Sequence, residues 1–169
     1  MLDKIITNWR NIEMMNFSNE AEYLDKRANQ IYNNGGTLAL EIGAYKGYTT
    51  ALLAQYFNVW AIDLWGEVLN GLSDISKIGK YSWNDFITNM TDRNLISERV
   101  FPICSTSKFL STCGNIKFDL IFIDGDHSNK GLSNDVTNII DHINKDGLII
   151  FHDYRRPLPT NVSAGTGPM

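Results

Sequence analysis

Residues 118–131, FDLIFIDGDHSNKG, end an apolar run on Asp124, Asp126 and His127. A second apolar run, GLIIFHDY over 147–154, ends on His152 and Asp153. Acids and histidines contribute little to a core, so their place at the ends of two such runs points to a site. Carboxylates gathered together are costly unless they are paired or bind a metal. A hard divalent cation such as Mg²⁺ would neutralise them through oxygen ligands. It would also lower the pKa of a hydroxyl held against it. Asp124, His152 and Asp153 are the candidate ligands. His127, three residues after Asp124, has an unperturbed pKa of about 6.5, suited to a general base that takes that proton. Simpler roles compete: His127 as a surface loop residue, Asp153 as a turn former, and Asp126 with Ser128 as caps of the following helix.

A third stretch, LEIGAYKGYTT over 40–50, carries an acid and two glycines. Gly43 allows a tight turn, and Gly47 allows close approach of loop to ligand or of helix to strand. Asp63, in VWAIDLW (59–65), stands where an acid accepts hydrogen bonds from ribose hydroxyls. A dinucleotide site would want G-x-G-x-x-G facing a pyrophosphate. Here the spacing is E-x-G-x-x-x-G, and Glu41 would repel phosphates, so an adenosyl ligand without phosphates suits the turn better. The candidate cofactor contacts are Glu41, Gly43, Lys46, Gly47, Thr49, Asp63, Ser105 and Asp124. Against this, the two glycines could serve packing alone, and Asp63 could simply cap a strand.

Positioning these residues requires strands whose ends converge. TLALEIGA (37–44), VWAIDLW, VFPICS (100–105), FDLIFID (118–124) and GLIIFHDY are apolar on both faces and alternate with helical segments. That pattern predicts an α/β fold: a Rossmann-like, doubly wound, mostly parallel sheet with helices on both faces. Helices are expected at 19–33, with Asn19 and Glu22 as a capping box, at 48–57, from Ser82 onward, between the third and fourth strands, and at 134–143. Residues 66–80, rich in Gly and Ser, read as a loop over a pocket. Trp65 and Trp83 suit packing, and His142 a solvated, structural position. The divisions are an N-terminal helical segment (1–36), the ligand-binding domain (37–154) and an irregular tail (155–169). In this order neighbouring strand ends lie about 4.8 Å apart, bringing Asp124 beside His152 and Asp153.

The 169 residues allow one domain with a real core. The formal net charge of −4 argues against a nucleic-acid partner. Cys104 and Cys113 match no zinc or redox spacing and suit a reducing cytosol. No stretch approaches the length of a membrane span and the N-terminus lacks an export signal, so a cytoplasmic protein without membrane contact is expected.

LEIGAYKGYTT followed by VWAIDLW resembles motifs I and II of the class I S-adenosylmethionine-dependent methyltransferases. FDLIFIDGDHS and GLIIFHDY resemble the branch known as methyltransferase family 24 and the metal-dependent sugar O-methyltransferases of antibiotic biosynthesis. The resemblance implies S-adenosylmethionine as cofactor and a small hydroxylated acceptor, a sugar or natural product. It implies Asp124 and Asp153 as metal ligands and His127 as base. His152 stands where those relatives often have an acid, which opens the site to a softer ion such as Mn²⁺ or Fe²⁺. Such enzymes carry seven strands, whereas this chain ends about fifteen residues after the fifth. A sheet lacking strands six and seven is therefore expected, with an exposed edge that invites homo-oligomers. An inactive or truncated S-adenosylmethionine-binding module is the alternative, and an NAD-dependent oxidoreductase the reading the glycine spacing disfavours.

Overall fold

The structure, a computed structural model, describes residues 2–13, 18–65 and 75–152. Five strands form one sheet: β1 (Leu38–Ile42), β2 (Asn58–Asp63), β3 (Val100–Cys104), β4 (Phe118–Ile123) and β5 (Ile143–Phe151). Their order is β3-β2-β1-β4-β5, and every pairing is parallel. β1 and β4 are buried almost throughout, which explains their unbroken apolar runs where an antiparallel strand would alternate.

Helices α1 (Ser18–Asn33), α2 (Tyr48–Ala54) and α3 (Ile75–Thr91) accompany the first half of the chain, and α4 (Asn129–Ile139) lies between β4 and β5. Leu24, Leu52, Phe57, Phe86, Met90, Leu120 and Phe122 belong to one core cluster. Leu40, Ile62, Leu110, Phe118, Ile121 and Ile139 belong to a second. Alternate residues of β1 and β4 divide between these clusters, so the sheet is covered on both faces. β2 lies on one side of β1 and β4 on the other, so the direction of winding reverses at β1. In open sheets of this kind ligands bind beyond the carboxyl ends of the strands at such a reversal.

Several local expectations need correction. α1 begins at Ser18, so Asn19 lies inside the helix and is not its cap. α3 begins at Ile75, so the loop expected over 66–80 is helical from there on and Ser82 is a buried mid-helix residue. Ile75, Ile78, Ser82, Phe86 and Met90 follow each other at helical spacing in the sequence, and that periodicity outweighs the modest cost of Ser and Gly. Residues 66–74 lie outside the described residues, as does the tail.

Between β3 and β4 there is only a 3₁₀ segment, Ser107–Thr112. α4 starts earlier than its apolar pattern suggested because Ser128 caps it, its hydroxyl accepting from the Gly131 amide at 3.0 Å. β5 starts at Ile143, where the Asn144 side chain donates to Asp119 of β4 at 2.7 Å. His142 is buried, with Nδ1 2.9 Å from the Ile116 carbonyl oxygen, so it is structural but not solvated. Among the described residues no helix is long and apolar enough to cross a membrane.

Candidate active site

The turn from β1 to α2 runs through three left-handed residues, Gly43 (φ 90°), Tyr45 (φ 46°) and Gly47 (φ 86°). Gly43 meets the end of β4 so closely that a Cβ there would fall 2.1 Å from the Asp124 carbonyl oxygen. Gly47 has a different reason: a Cβ would fall 2.6 Å from Met90 Cε and 3.0 Å from the Phe86 ring, so it admits α3. Asp63 fastens the turn from the end of β2. Its Oδ2 accepts from the Tyr45 amide at 2.8 Å and its Oδ1 from the Trp65 amide at 2.9 Å. The Trp65 indole N–H donates back to the Tyr45 carbonyl at 2.8 Å, and Asn89 Nδ2 donates to the Lys46 carbonyl at 2.9 Å. Trp65 itself is buried edge-on against Trp83, as expected of packing residues.

Beneath the turn lies Glu41, at 0 % exposure. The Thr50 hydroxyl donates to Oε2, and Oε1 makes no hydrogen bond among the described residues. Burial raises its carboxyl from 4.5 to about 8; the hydroxyls of Thr50 and Thr49 oppose this, while the charges of Asp124 and Asp63 add to it. Glu41 is therefore mostly a neutral acid at pH 7. Lys46 Nζ pairs with Glu13 at 2.8 Å and Asp85 at 3.0 Å. Thr49, half buried, lies in the first turn of α2. Ser105, also half buried, donates its amide to the Asp63 carbonyl at 3.0 Å.

On the other side of β1, the strand ends bring Asp124, His127 and His152 together. His152 Nδ1 lies 2.8 Å from Asp124 Oδ1, and His127 Nε2 lies 3.6 Å from the same oxygen. One ligand-type atom from each residue falls within 4.8 Å of the others. The His152 side chain is 7 % exposed and that of His127 is 56 % exposed. Pairing of β4 with β5 continues past the strand, with the His152 amide donating to the Ile123 carbonyl at 2.9 Å. Asp126 turns away to the start of α4, accepting from the Ser128 amide at 2.8 Å and the Ser128 hydroxyl at 3.0 Å. Asp153 lies outside the described residues.

The Nδ1 of His152 and a carboxylate oxygen of Asp124 form a donor pair that fits a divalent ion, with His127 Nε2 beside it. Donors about 2.1 Å from an ion and at right angles to each other lie about 3 Å apart. The 2.8 Å between His152 Nδ1 and Asp124 Oδ1 is close to that spacing. A nitrogen donor shifts the fit from Mg²⁺ toward Mn²⁺, Fe²⁺, Co²⁺ or Zn²⁺.

Glu20 and Asn89 escaped the sequence reading, and Trp65 was read for packing alone. Glu20 of α1 reaches His152, its Oε2 2.9 Å from Nε2. Trp65 and Asn89 hold the turn through their side-chain N–H groups. Nothing local marks Glu20, which is 132 residues away from its partner.

A reversed-winding parallel sheet of this order is the Rossmann-like fold that the class I S-adenosylmethionine-dependent methyltransferases share. A model of the methyltransferase domain known as methyltransferase family 24 matches residues 40–154, and the chain belongs to that family. The uncharacterized protein R132 of Acanthamoeba polyphaga mimivirus is 31% identical over 121 residues, 69% of this chain and 51% of that protein. The chain thus spans about half the length of this relative. Among solved structures, the Podospora anserina methyltransferase PaMTH1 bound to S-adenosylhomocysteine shares the fold with a TM-score of 0.63 and 16% identity. That match covers 83% of this chain and 54% of the other. An O-methyltransferase from Bacillus cereus, also bound to S-adenosylhomocysteine, has a TM-score of 0.62 and 20% identity over 89% of this chain and 63% of its own.

Proposed function

We propose that residues 37–154 form the cofactor-binding domain of an S-adenosylmethionine-dependent O-methyltransferase, assisted by a divalent ion and acting on a small hydroxylated molecule. The observation that carries this reading is the adjacency of the turn, which Asp63 fastens, to the Asp124–His127–His152 cluster. Asp63 and Asp124 are close enough for their charges to be felt at Glu41, and the cation of the turn, Lys46, is engaged by Glu13 and Asp85. Such a surround favours a cationic ligand bearing hydroxyls over a pyrophosphate.

S-adenosylmethionine, when bound, supplies a methyl group on a sulfonium cation. Asp63, whose oxygens each keep a second lone pair, accepts from its ribose hydroxyls. Gly43, Lys46, Gly47 and Thr49 shape the turn over it, and Ser105 lies at its β3 side. A divalent ion, when bound by Asp124 and His152, acidifies a hydroxyl of the acceptor. His127, the most exposed of the three, takes that proton at Nε2. The acceptor class, a sugar or natural product, follows from the resemblance in the sequence.

Calorimetry with S-adenosylmethionine and with NAD tests the cofactor: heat with the first alone is expected, and its absence would sink the reading. Metal titration of Asp124→Asn should show binding lost. In the same titration His127→Ala should bind the ion as the wild type does. Weakened binding would make His127 a ligand and remove it as base.

A further inference from the structure

The contact between Glu20 and His152 joins the first turn of α1 to the end of β5, and it does so at one nitrogen only. Nε2 faces Glu20 Oε2 at 2.9 Å, while Nδ1 faces Asp124 Oδ1 at 2.8 Å, on the side where His127 also lies. An imidazole binds a metal through one nitrogen, and that nitrogen must carry no proton. Which one is left bare depends on where the ring's N–H is held.

We propose that Glu20 is a positioning residue for the metal site. It holds the His152 proton on Nε2, so that Nδ1 is the nitrogen turned toward Asp124 and His127. This rests on the metal reading above and goes beyond it by assigning the ligand atom and a carboxylate outside the ligand set. Asp124 faces Nδ1 at 2.8 Å and competes for the same proton, and without Glu20 it is unopposed among the described residues. The tautomer with its proton on Nδ1 would then be favoured and would block that atom.

The ring's placement agrees with this role. The His152 side chain is 7 % exposed, and its ring lies 6.3 Å from that of Phe122, so it has little room to reorient. Glu20 is 59 % exposed, so its tie to the core is this contact and not its own burial. Ala21, the next residue, is buried against the core and fixes the helix from which Glu20 extends.

The test is a Co²⁺ titration of the full chain, followed by the visible absorption of the bound ion, for wild type, Glu20→Ala, Glu20→Gln and Asp124→Asn. Metal affinity in Glu20→Ala should fall on the order of 10- to 100-fold. Glu20→Gln should recover most of it, because the amide oxygen still accepts from Nε2–H. Nitrogen-detected NMR should show the His152 proton on Nε2 in the Zn²⁺-loaded wild type and on Nδ1 in metal-free Glu20→Ala. If Glu20→Ala binds Co²⁺ as wild type does while Asp124→Asn does not, the assignment fails and the metal site stands. If Glu20→Gln is as weak as Glu20→Ala, the orienting hydrogen bond is refuted. Should wild type itself not bind, the metal reading falls and the assignment with it.

Discussion

On the β2 side of β1 the backbone is pinned. The Tyr45 amide and carbonyl and the Lys46 carbonyl are each held by a side chain from β2, the residues just after it, or α3. On the β5 side the contacts join titratable side chains to one another, and the loop beyond β4 is exposed from Asp126 to Lys130. A turn with a fixed backbone can present a shaped surface before any ligand arrives, which lowers the entropic cost of binding. A cluster of imidazoles and carboxylates is costly without a proton or cation among its members, and the proposed ion would relieve that cost. The contrast assigns ligand shape to one half and reactivity to the other.

The sharpest way to break this contrast is at Gly43, where the halves touch. Ala there must adopt φ near 90° and place its Cβ 2.1 Å from the Asp124 carbonyl oxygen. Left-handed strain costs about 1–2 kcal/mol, and overpacking against backbone adds about 1–3 kcal/mol. Gly43→Ala should therefore destabilise the chain by about 3 kcal/mol in urea unfolding and abolish S-adenosylmethionine binding. A stable, binding-competent variant would mean that the turn is free to move and is not pinned.

Glu41 gives an effect of comparable size that depends on pH. Its carboxyl is raised to about 8 in the fold against 4.5 for the ordinary group, so between these values the unfolded chain releases a proton that the folded chain keeps. The stability this group contributes is full below pH 4.5 and is lost as pH rises through about 8, with a slope of about 1.4 kcal/mol per pH unit at most. Glu41→Gln keeps an acceptor for Thr50 and removes the titration. Denaturant melts at pH 5, 7 and 9 should show the variant gaining on wild type up to pH 8 and then holding level. Parallel curves would mean that Glu41 is ionised beneath the turn, with its burial relieved by some other contact.

Much of this was legible in the sequence because the physics is local. Strands buried on both faces must be apolar throughout, so β1 and β4 could be read directly, whereas the polar first half of the edge strand β5 was not seen. Gly43 and Gly47 announce backbone that other residues adopt with strain. What was not legible depends on distance. Ser and Gly ahead of Ser82 suggested a loop, and the burial of Phe86 and Met90 against the rest of the core made the segment helical instead. Gly47 could not be assigned between ligand and packing until α3 was seen against it. Asp124 and His152 were expected side by side because strand order alone brings them there. Glu20 depends on how α1 docks, which strand order does not specify.

Lys46 offers the smallest effect and the finest test of the pinned half. Its ammonium bridges Glu13, on the segment preceding α1, and Asp85 on α3, across the backbone of the turn itself. Both hydrogen bonds favour its charged form and raise its pKa. Yet Glu13 is 79% exposed and Asp85 46% exposed, so solvent and salt screen much of the attraction. Exposed pairs of this kind are worth about 0.2–1 kcal/mol each. Lys46→Met, which keeps the aliphatic stem, should lower stability by about 0.5–1 kcal/mol, and the loss should shrink as salt is added. Because Asn89, Trp65 and Asp63 hold the turn independently, S-adenosylmethionine affinity should change less than threefold. A larger loss, insensitive to salt, would show that Lys46 contacts the ligand directly and that the bridge is not its main role.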